Sequence, residues 1–185
     1  MDLTARLDLG ELRLRTLVPD DAELLVEATR QEQGRTLRGP RPAGPYSLDN
    51  ARTALQQWDP AEGQQASYGV LRVDRLVAAV GLMLDSPHSA ELAYWVRPEE
   101  RRQGIGGRSV QAVTAWAHRD GGLVRLWLEI DPANTASREL ARRAGYRLER
   151  RLPRHCRAWL EDDPARDQWH DCLIFAHTPQ GRREG

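Results

Sequence analysis

The chain has 185 residues, enough for one domain with a core that is stable alone. Its 27 basic residues, all arginine, balance 27 acidic ones, so a chain-wide footprint for nucleic acid is excluded, and without lysine so is a Schiff-base lysine. No apolar run approaches the ~18 residues of a membrane span. Met1-Asp2-Leu3-Thr4 lacks the basic-then-apolar start of a secretory signal, so a cytoplasmic protein with no membrane partner is expected.

In chain order, Leu12, Leu14 and Thr16 alternate with charges and predict a half-buried strand. Asp20 and Asp21 suit a helix start, with Leu24, Leu25 and Ala28 on one face. Residues 33–46 are rich in glycine and proline and predict a loop. Ser47 caps a short helix through Trp58, which Pro60 and Gly63 end. Tyr68–Val73 and Leu76–Leu84 flank Asp74-Arg75 as a β-hairpin. A turn at 86–89 leads into the strand Glu91–Val96. A helix after the glycines carries Ile105, Val113 and Trp116 on one face and ends at Gly121-Gly122. Then come a strand over Val124–Ile130, a helix over Ala136–Ala144 with Gly145 at its C-terminus, and strands over Tyr146–Leu152 and Trp169–Ala176. The segment between those last strands holds Pro153, Pro164 and the acidic Glu161-Asp162-Asp163, and predicts a long hairpin connection. The order argues an α/β (mixed α+β) fold with one central mixed sheet, a single domain over 1–178 and a tail over 179–185. Cys156 and Cys172 are expected as free thiols. The five histidines show no metal spacing, so no metal site is expected.

Arg101-Arg102-Gln103-Gly104-Ile105-Gly106-Gly107-Arg108 carries the most chemistry. It follows an apolar strand and opens a helix. Glycines let the backbone approach an anion, and the first helical amides and the helix dipole favour negative charge there. The loop lacks the Lys-Ser/Thr ending of a nucleotide P-loop and the glycine spacing of a dinucleotide fold. It does fit Arg/Gln-x-x-Gly-x-Gly/Ala, and so resembles the acetyl-CoA pyrophosphate loop of the GCN5-related N-acetyltransferases (GNAT). Asn134-Thr135-Ala136-Ser137 with Gly145-Tyr146 resembles that family's Asn-x-x-Ser-(seven residues)-Gly-Phe/Tyr block. The opening Leu12–Asp21 and the closing strands are similar to the RimJ/RimL-like branch, which acetylates ribosomal-protein N-termini. The resemblance spans nearly the whole chain.

That resemblance implies a mostly antiparallel sheet, flanked by helices, whose strands Glu91–Val96 and Val124–Ile130 splay apart around the cofactor. It implies acetyl-CoA as co-substrate and a primary amine as acceptor, either a protein N-terminus or a small molecule. Backbone at Tyr94, Trp95 and Val96 would pair with the pantetheine arm. Arg101, Arg102, Gln103, Gly104, Ile105, Gly106, Gly107 and Arg108 would hold the pyrophosphate. Asn134 and Ser137 would face the sulfur end, and Arg143 the adenosine phosphates. Acetyl transfer needs a base for the amine and a proton or other stabilisation for the departing thiolate. Glu91, where the branch often has a glutamate, is the base candidate, with Glu129 its rival. Many relatives place a tyrosine seven residues after the Asn. Here that position is Ala141, so Ser137 is the acid candidate, its alternative role being a helix cap. Tyr146 reads as core. Trp58 and Trp159 are either an aromatic wall for the acceptor or core anchors. Arg150, where the branch usually has glycine, departs from the ribosomal pattern. A homodimer is possible. The competing reading is a non-catalytic acyl-CoA-binding module.

Overall fold

The computed structural model describes residues 2–31, 45–62, 64–158 and 168–179. Its strands are β1 (Arg6–Asp8), β2 (Arg13–Thr16), β3 (Gln65–Arg72), β4 (Arg75–Ser86), β5 (Ser89–Val96), β6 (Arg125–Ile130), β7 (Arg147–Ala158) and β8 (Gln168–His177). Its helices are α1 (Ala22–Thr29), α2 (Leu48–Gln57), α3 (Ile105–Arg119) and α4 (Thr135–Arg143). The strands form one sheet in the order β1-β2-β3-β4-β5-β6-β8-β7. Every neighbouring pair is antiparallel except β5 with β6. This is the mixed α/β architecture expected from the sequence.

Alternation assigns the two faces. On one face Leu92, Leu126 and Leu128 meet Ile105, Val110, Val113 and Trp116 of α3 and Ala141 of α4 in the larger core. On the other, Leu17 and Leu76 meet Ala22, Ala28, Ala51 and Leu55 of α1 and α2, with Trp95 packed against them. Ser47 caps α2 by accepting from Asn50 N, as expected.

Four local readings change. β1 was not expected: three residues are too few to show a period, and pairing with β2 (Arg6↔Arg15, Leu7↔Leu14) makes it a strand. Val124, expected in β6, lies before it and is 56% exposed. β7 does not stop at Leu152. It runs on to Ala158 through an irregularity between Leu152 and Cys156, which takes in Pro153 and an Arg154 with φ of 49°; a bulge is where a sheet tolerates proline. The cysteines, expected as free thiols, are bonded to each other across β7 and β8, with Cα atoms 5.9 Å apart. The irregularity brings Cys156 to the face of Cys172, and linear spacing does not show it. The loop read at 33–46 falls mostly outside the described residues, as do Gly63, Trp159, the acidic patch 161–163, Pro164 and the tail from 180.

Beneath the larger core, His118 Nδ1 lies 2.7 Å from Leu123 O, and His118 Nε2 lies 2.9 Å from His177 Nδ1. A carbonyl only accepts, so neutral His118 carries its proton on Nδ1 and accepts from His177. The rings stack, and His177 also packs on Tyr146. Burial first, and the charge of His118 second, hold His177 below its ordinary value of 6.5. The folded state therefore resists a proton that the unfolded chain accepts. Stability from His177 is present above pH 6.5, begins to fall as pH drops below it, and is gone once pH passes the lowered folded-state value. Asp21, where burial raises the carboxyl but Arg15 and the Val18 amide outweigh it, and Glu27, held down by Arg97, lie below 3.8 and 4.5 and act only in a more acidic window. Tm should fall measurably from pH 7 to pH 5.5. A flat Tm across that range contradicts a His177 held below its ordinary value.

Candidate active site

The site begins where a ladder stops. β5 and β6 pair in parallel at Ser89↔Arg125, Ala90↔Leu126 and Glu91↔Trp127. Beyond Glu91, β5 stays on β4 as far as Val96, while β6 stays on β8 as far as Ile130. The two strands part, and a gap opens between them. Arg97 N donates to Val77 O of β4, so Arg97, Trp95 and Ala93 turn their backbone groups towards β4. By the same alternation Leu92, Tyr94 and Val96 turn theirs into the gap. Val96 O there accepts from Arg101 Nε at 3.0 Å. Of the three residues expected to pair with a ligand arm, Tyr94 and Val96 present backbone to the gap, while Trp95 presents its backbone to β4.

A cleft of about 850 Å³ lies over the gap, within the range of small-molecule sites. Tyr94, Trp95 and Val96 line it from β5, Arg101, Arg102, Gly104, Ile105, Gly106, Gly107 and Arg108 from the glycine turn and α3, and Asn134, Ser137 and Arg143 from α4. A smaller concavity of about 610 Å³ along β1 and β2 holds none of the candidate site residues.

On the α3 side, Gly104 starts the helix in the left-handed region with φ of 76°, and no side chain caps it. The first intrahelical bond is Arg108 N to Gly104 O, at 3.0 Å, so the amides of Ile105, Gly106 and Gly107 have no partner within the helix. A Cβ added at Gly107 would meet nothing within 4 Å, and one added at Gly106 would touch Tyr94, Val96 and Leu140 at 3.2–3.3 Å. The backbone thus presents bare donors to open space, which fits a pyrophosphate. Gln103 does not line the cleft. Its side chain donates to Glu99 O at 3.2 Å and braces the turn. Arg108 borders the cleft, but its guanidinium donates to Leu9 O and to Glu11 Oε1. That bond, before the Coulombic attraction, lowers the Glu11 carboxyl.

On the α4 side, Asn134 Oδ1 accepts from Ser137 N at 3.0 Å and caps the helix. Ser137 is therefore not the cap. Its hydroxyl lies 2.8 Å from Tyr94 OH, reaching across from β5. Sequence reasoning missed this pairing, because the two residues are 43 apart in the chain. Arg143, expected near adenosine phosphates, is exposed at the rim and pairs with Glu139 at 2.9 Å.

Glu91 sits on the opposite face. It is half-buried, opposite Met83 and Trp127, at the last rung before the gap. Glu129 lies on the same face, its side chain 2% exposed, with Oε1 2.6 Å from Cys156 Sγ. A disulfide sulfur carries no proton, so this is a contact and not a donated hydrogen bond. Glu129, Cys156 and Cys172 bring their ligand-type atoms within 4.8 Å of one another, a cluster the sequence reading did not expect, but both sulfurs are already spent on each other. Trp58 presses on Gly81 of β4, where an added Cβ would come within 2.6 Å of its ring. Trp127 Nε1 donates to Asp85 at 2.7 Å.

No curated protein matches the chain in sequence. Solved structures match it in fold. RimL, a ribosomal L7/L12 α-N-protein acetyltransferase solved with coenzyme A, superposes with a TM-score of 0.80 at 20% identity, covering 94% of this chain and 98% of its own. A ribosomal-protein-S5-alanine acetyltransferase from Vibrio fischeri gives 0.81 at 13% identity, over 96% and 98%. RimJ from Mycobacterium smegmatis, solved with CoA-disulfide, gives 0.80 at 18%, over 98% and 90%. At such identities the likeness is one of fold. A sequence model of the acetyltransferase (GNAT) domain matches residues 11–147. That match takes in β2 through α4, with both sides of the gap, and on its strength the chain belongs to the GNAT family, whose members pass the acetyl group of acetyl-CoA to an amine.

Proposed function

We propose that the acceptor is the amino group at a protein N-terminus, and that it attacks the thioester directly. The observation that carries this reading is the parting of β5 and β6 beside a helix start with bare amides. A pantetheine arm, with two amides of its own, matches the backbone groups of Tyr94 and the amide of Val96, whose carbonyl is held by Arg101. The pyrophosphate matches the amides of Ile105, Gly106 and Gly107. Support for a peptide acceptor comes from fold neighbours that are ribosomal-protein N-acetyltransferases. The cytoplasmic setting expected from the sequence and the homodimer it leaves possible belong to the same proposal. Thiol release from acetyl-CoA tests it, across N-terminal peptides of ribosomal proteins and a panel of small amines. Turnover with peptides supports the reading. Turnover with small amines alone replaces the acceptor, and acetyl-CoA binding with no thiol release for any acceptor favours a non-catalytic acyl-CoA-binding module.

The cradle gives a direct test of cofactor placement. Gly107→Val adds a side chain where the fold leaves space, so Tm should hold while calorimetry shows acetyl-CoA affinity falling about tenfold or more, ~1.4 kcal/mol. Gly106→Val should lose both, since it crowds Tyr94, Val96 and Leu140. Full affinity in Gly107→Val moves the pyrophosphate elsewhere.

In this reading Ser137 supplies the thiolate's proton. Ser137→Ala should lower kcat more than it raises KM for acetyl-CoA. A kcat within about twofold of wild type, ~0.4 kcal/mol, removes that role.

Glu91 is proposed as base, directly or through water. It stands at the mouth of the gap, whereas Glu129 lies under β7. Glu91→Gln keeps the shape and removes the basicity. It should cut the rate about 10²-fold for an amine of high pKa, and less as pH rises and free amine accumulates. Identical pH–rate profiles in wild type and Glu91→Gln transfer the role to Glu129 or to the substrate's own proton loss.

A further inference from the structure

We infer that Tyr94 is the positioning residue for Ser137: its phenol donates to the serine oxygen and leaves the serine's own proton to point at the departing sulfur. The inference rests on the acetyl-transfer reading above and goes beyond it, since there Tyr94 lends only its backbone.

The 2.8 Å contact between the two hydroxyls does not itself say which one donates. Three observations decide it. First, a phenol is the more acidic hydroxyl and so the better donor. Burial, only partly offset by the bond to Ser137, pushes the Tyr94 hydroxyl above its ordinary value of 10.0, so it keeps its proton across the physiological range. Second, the Ser137 hydroxyl is not spent on its own helix, because Asn134 caps α4 and takes the Ser137 amide. Third, the Tyr94 ring is fixed. It lies against Gly106, where a Cβ would come within 3.3 Å of Tyr94 Cε2, and it spans from the start of α3 to the start of α4. A donor held that rigidly fills one lone pair of Ser137 Oγ in a set direction.

Donation into an oxygen makes its remaining hydrogen more acidic, and bonds in such a chain strengthen one another. As the C–S bond breaks, its electron pair goes to sulfur, which takes the Ser137 proton. The serine oxygen, stabilised by the Tyr94 O–H, regains a proton from water in the open cleft, and the hydroxide left is neutralised by the proton the attacking amine gives up as the amide forms. Tyr94 itself neither touches the sulfur nor loses its proton.

Tyr94→Phe removes one oxygen and keeps the ring against Gly106. Thiol release should show kcat falling about tenfold, with KM for acetyl-CoA within about twofold. The distinguishing readout is the pair. In a Ser137→Ala background, Tyr94→Phe should cost nothing further, because its only route to the reaction is gone. Losses that multiply, a Tyr94→Phe kcat close to wild type, or an effect confined to KM each overturn the inference while leaving acetyl transfer intact. A wild-type chain that acetylates no amine overturns the reading beneath it, and the inference with it. If Tyr94→Phe fails to fold, 3-fluorotyrosine at position 94 keeps the shape and alters only the hydroxyl's acidity. A changed kcat at constant KM then supports the inference, and an unchanged kcat overturns it.

Discussion

The parting of β5 from β6 after three paired residues is the constraint on which the site depends. Buried backbone groups without partners cost about 1–3 kcal/mol each, so two strands separate inside a sheet only if something holds them apart. Here β4 holds β5 along its whole length and β8 holds β6 to its end. Each strand stays in place through its outer neighbour, and the inner edge is left to a ligand. The helices follow from the same break. α3 leaves the end of β5 and α4 follows β6, so their N-termini arrive on the two banks of one gap.

The glycine turn is held as firmly as the gap. Between β5 and Gly104 the chain makes a short 3-10 turn, Pro98–Glu100. Glu100, 5% exposed, accepts from Arg72 at 2.6 Å and from Arg75 at 3.0 Å, both on the β3–β4 hairpin. Arg97, 4% exposed, forks onto Glu27 of α1 at 2.7 and 2.9 Å. Only one member of each pair is buried, Glu100 or Arg97, so it is the loss of the half-exposed partner that strands a buried charge. Of the arginines in the turn itself, Arg108 is spent on Leu9 and Glu11, whereas Arg101 and Arg102 line the cleft. Arg72, Arg75, Arg97 and Arg108 clamp the loop to the sheet and to the N-terminal turn, and bare amides remain for the anion. A cradle clamped in advance loses little freedom when a ligand arrives, which is what near-attack geometry requires.

What the sequence showed and what it hid divide by range of contact. The strand alternation, the glycine turn, the Ser47 cap and the Asn134–Ser137 block are local patterns, and each stands where it was read. β1 exists only through β2, and the far half of β7 exists only through β8, so neither leaves a local trace. The Cys156–Cys172 bond needs the irregularity after Leu152. Arg108 looked like phosphate charge because its partners, Leu9 and Glu11, lie almost a hundred residues away. Ser137 had an acid role and a capping role open to it, and only the three-dimensional neighbourhood of Asn134 and Tyr94 separates them. Trp95 shows the limit of a motif block: it sits between two residues that face the gap, yet alternation turns its backbone to β4 and its ring to α1 and α2.

That alternation also organises the proposed chemistry. Residues 91 and 94 differ by an odd number, so on one strand they must face opposite sides of the sheet. Glu91 shares its face with α1 and α2, and Tyr94 shares its face with α3, α4 and the cleft. The proposed base, Glu91, and the proposed positioning residue, Tyr94, thus stand on the same strand with the sheet between them. Side by side in a dry site, they would pair with each other, and neither would serve the reaction. Separated by the sheet, the two proposed groups meet one thioester through the opening where β5 and β6 part, so in this proposal the gap that takes the cofactor is also the path from base to acid.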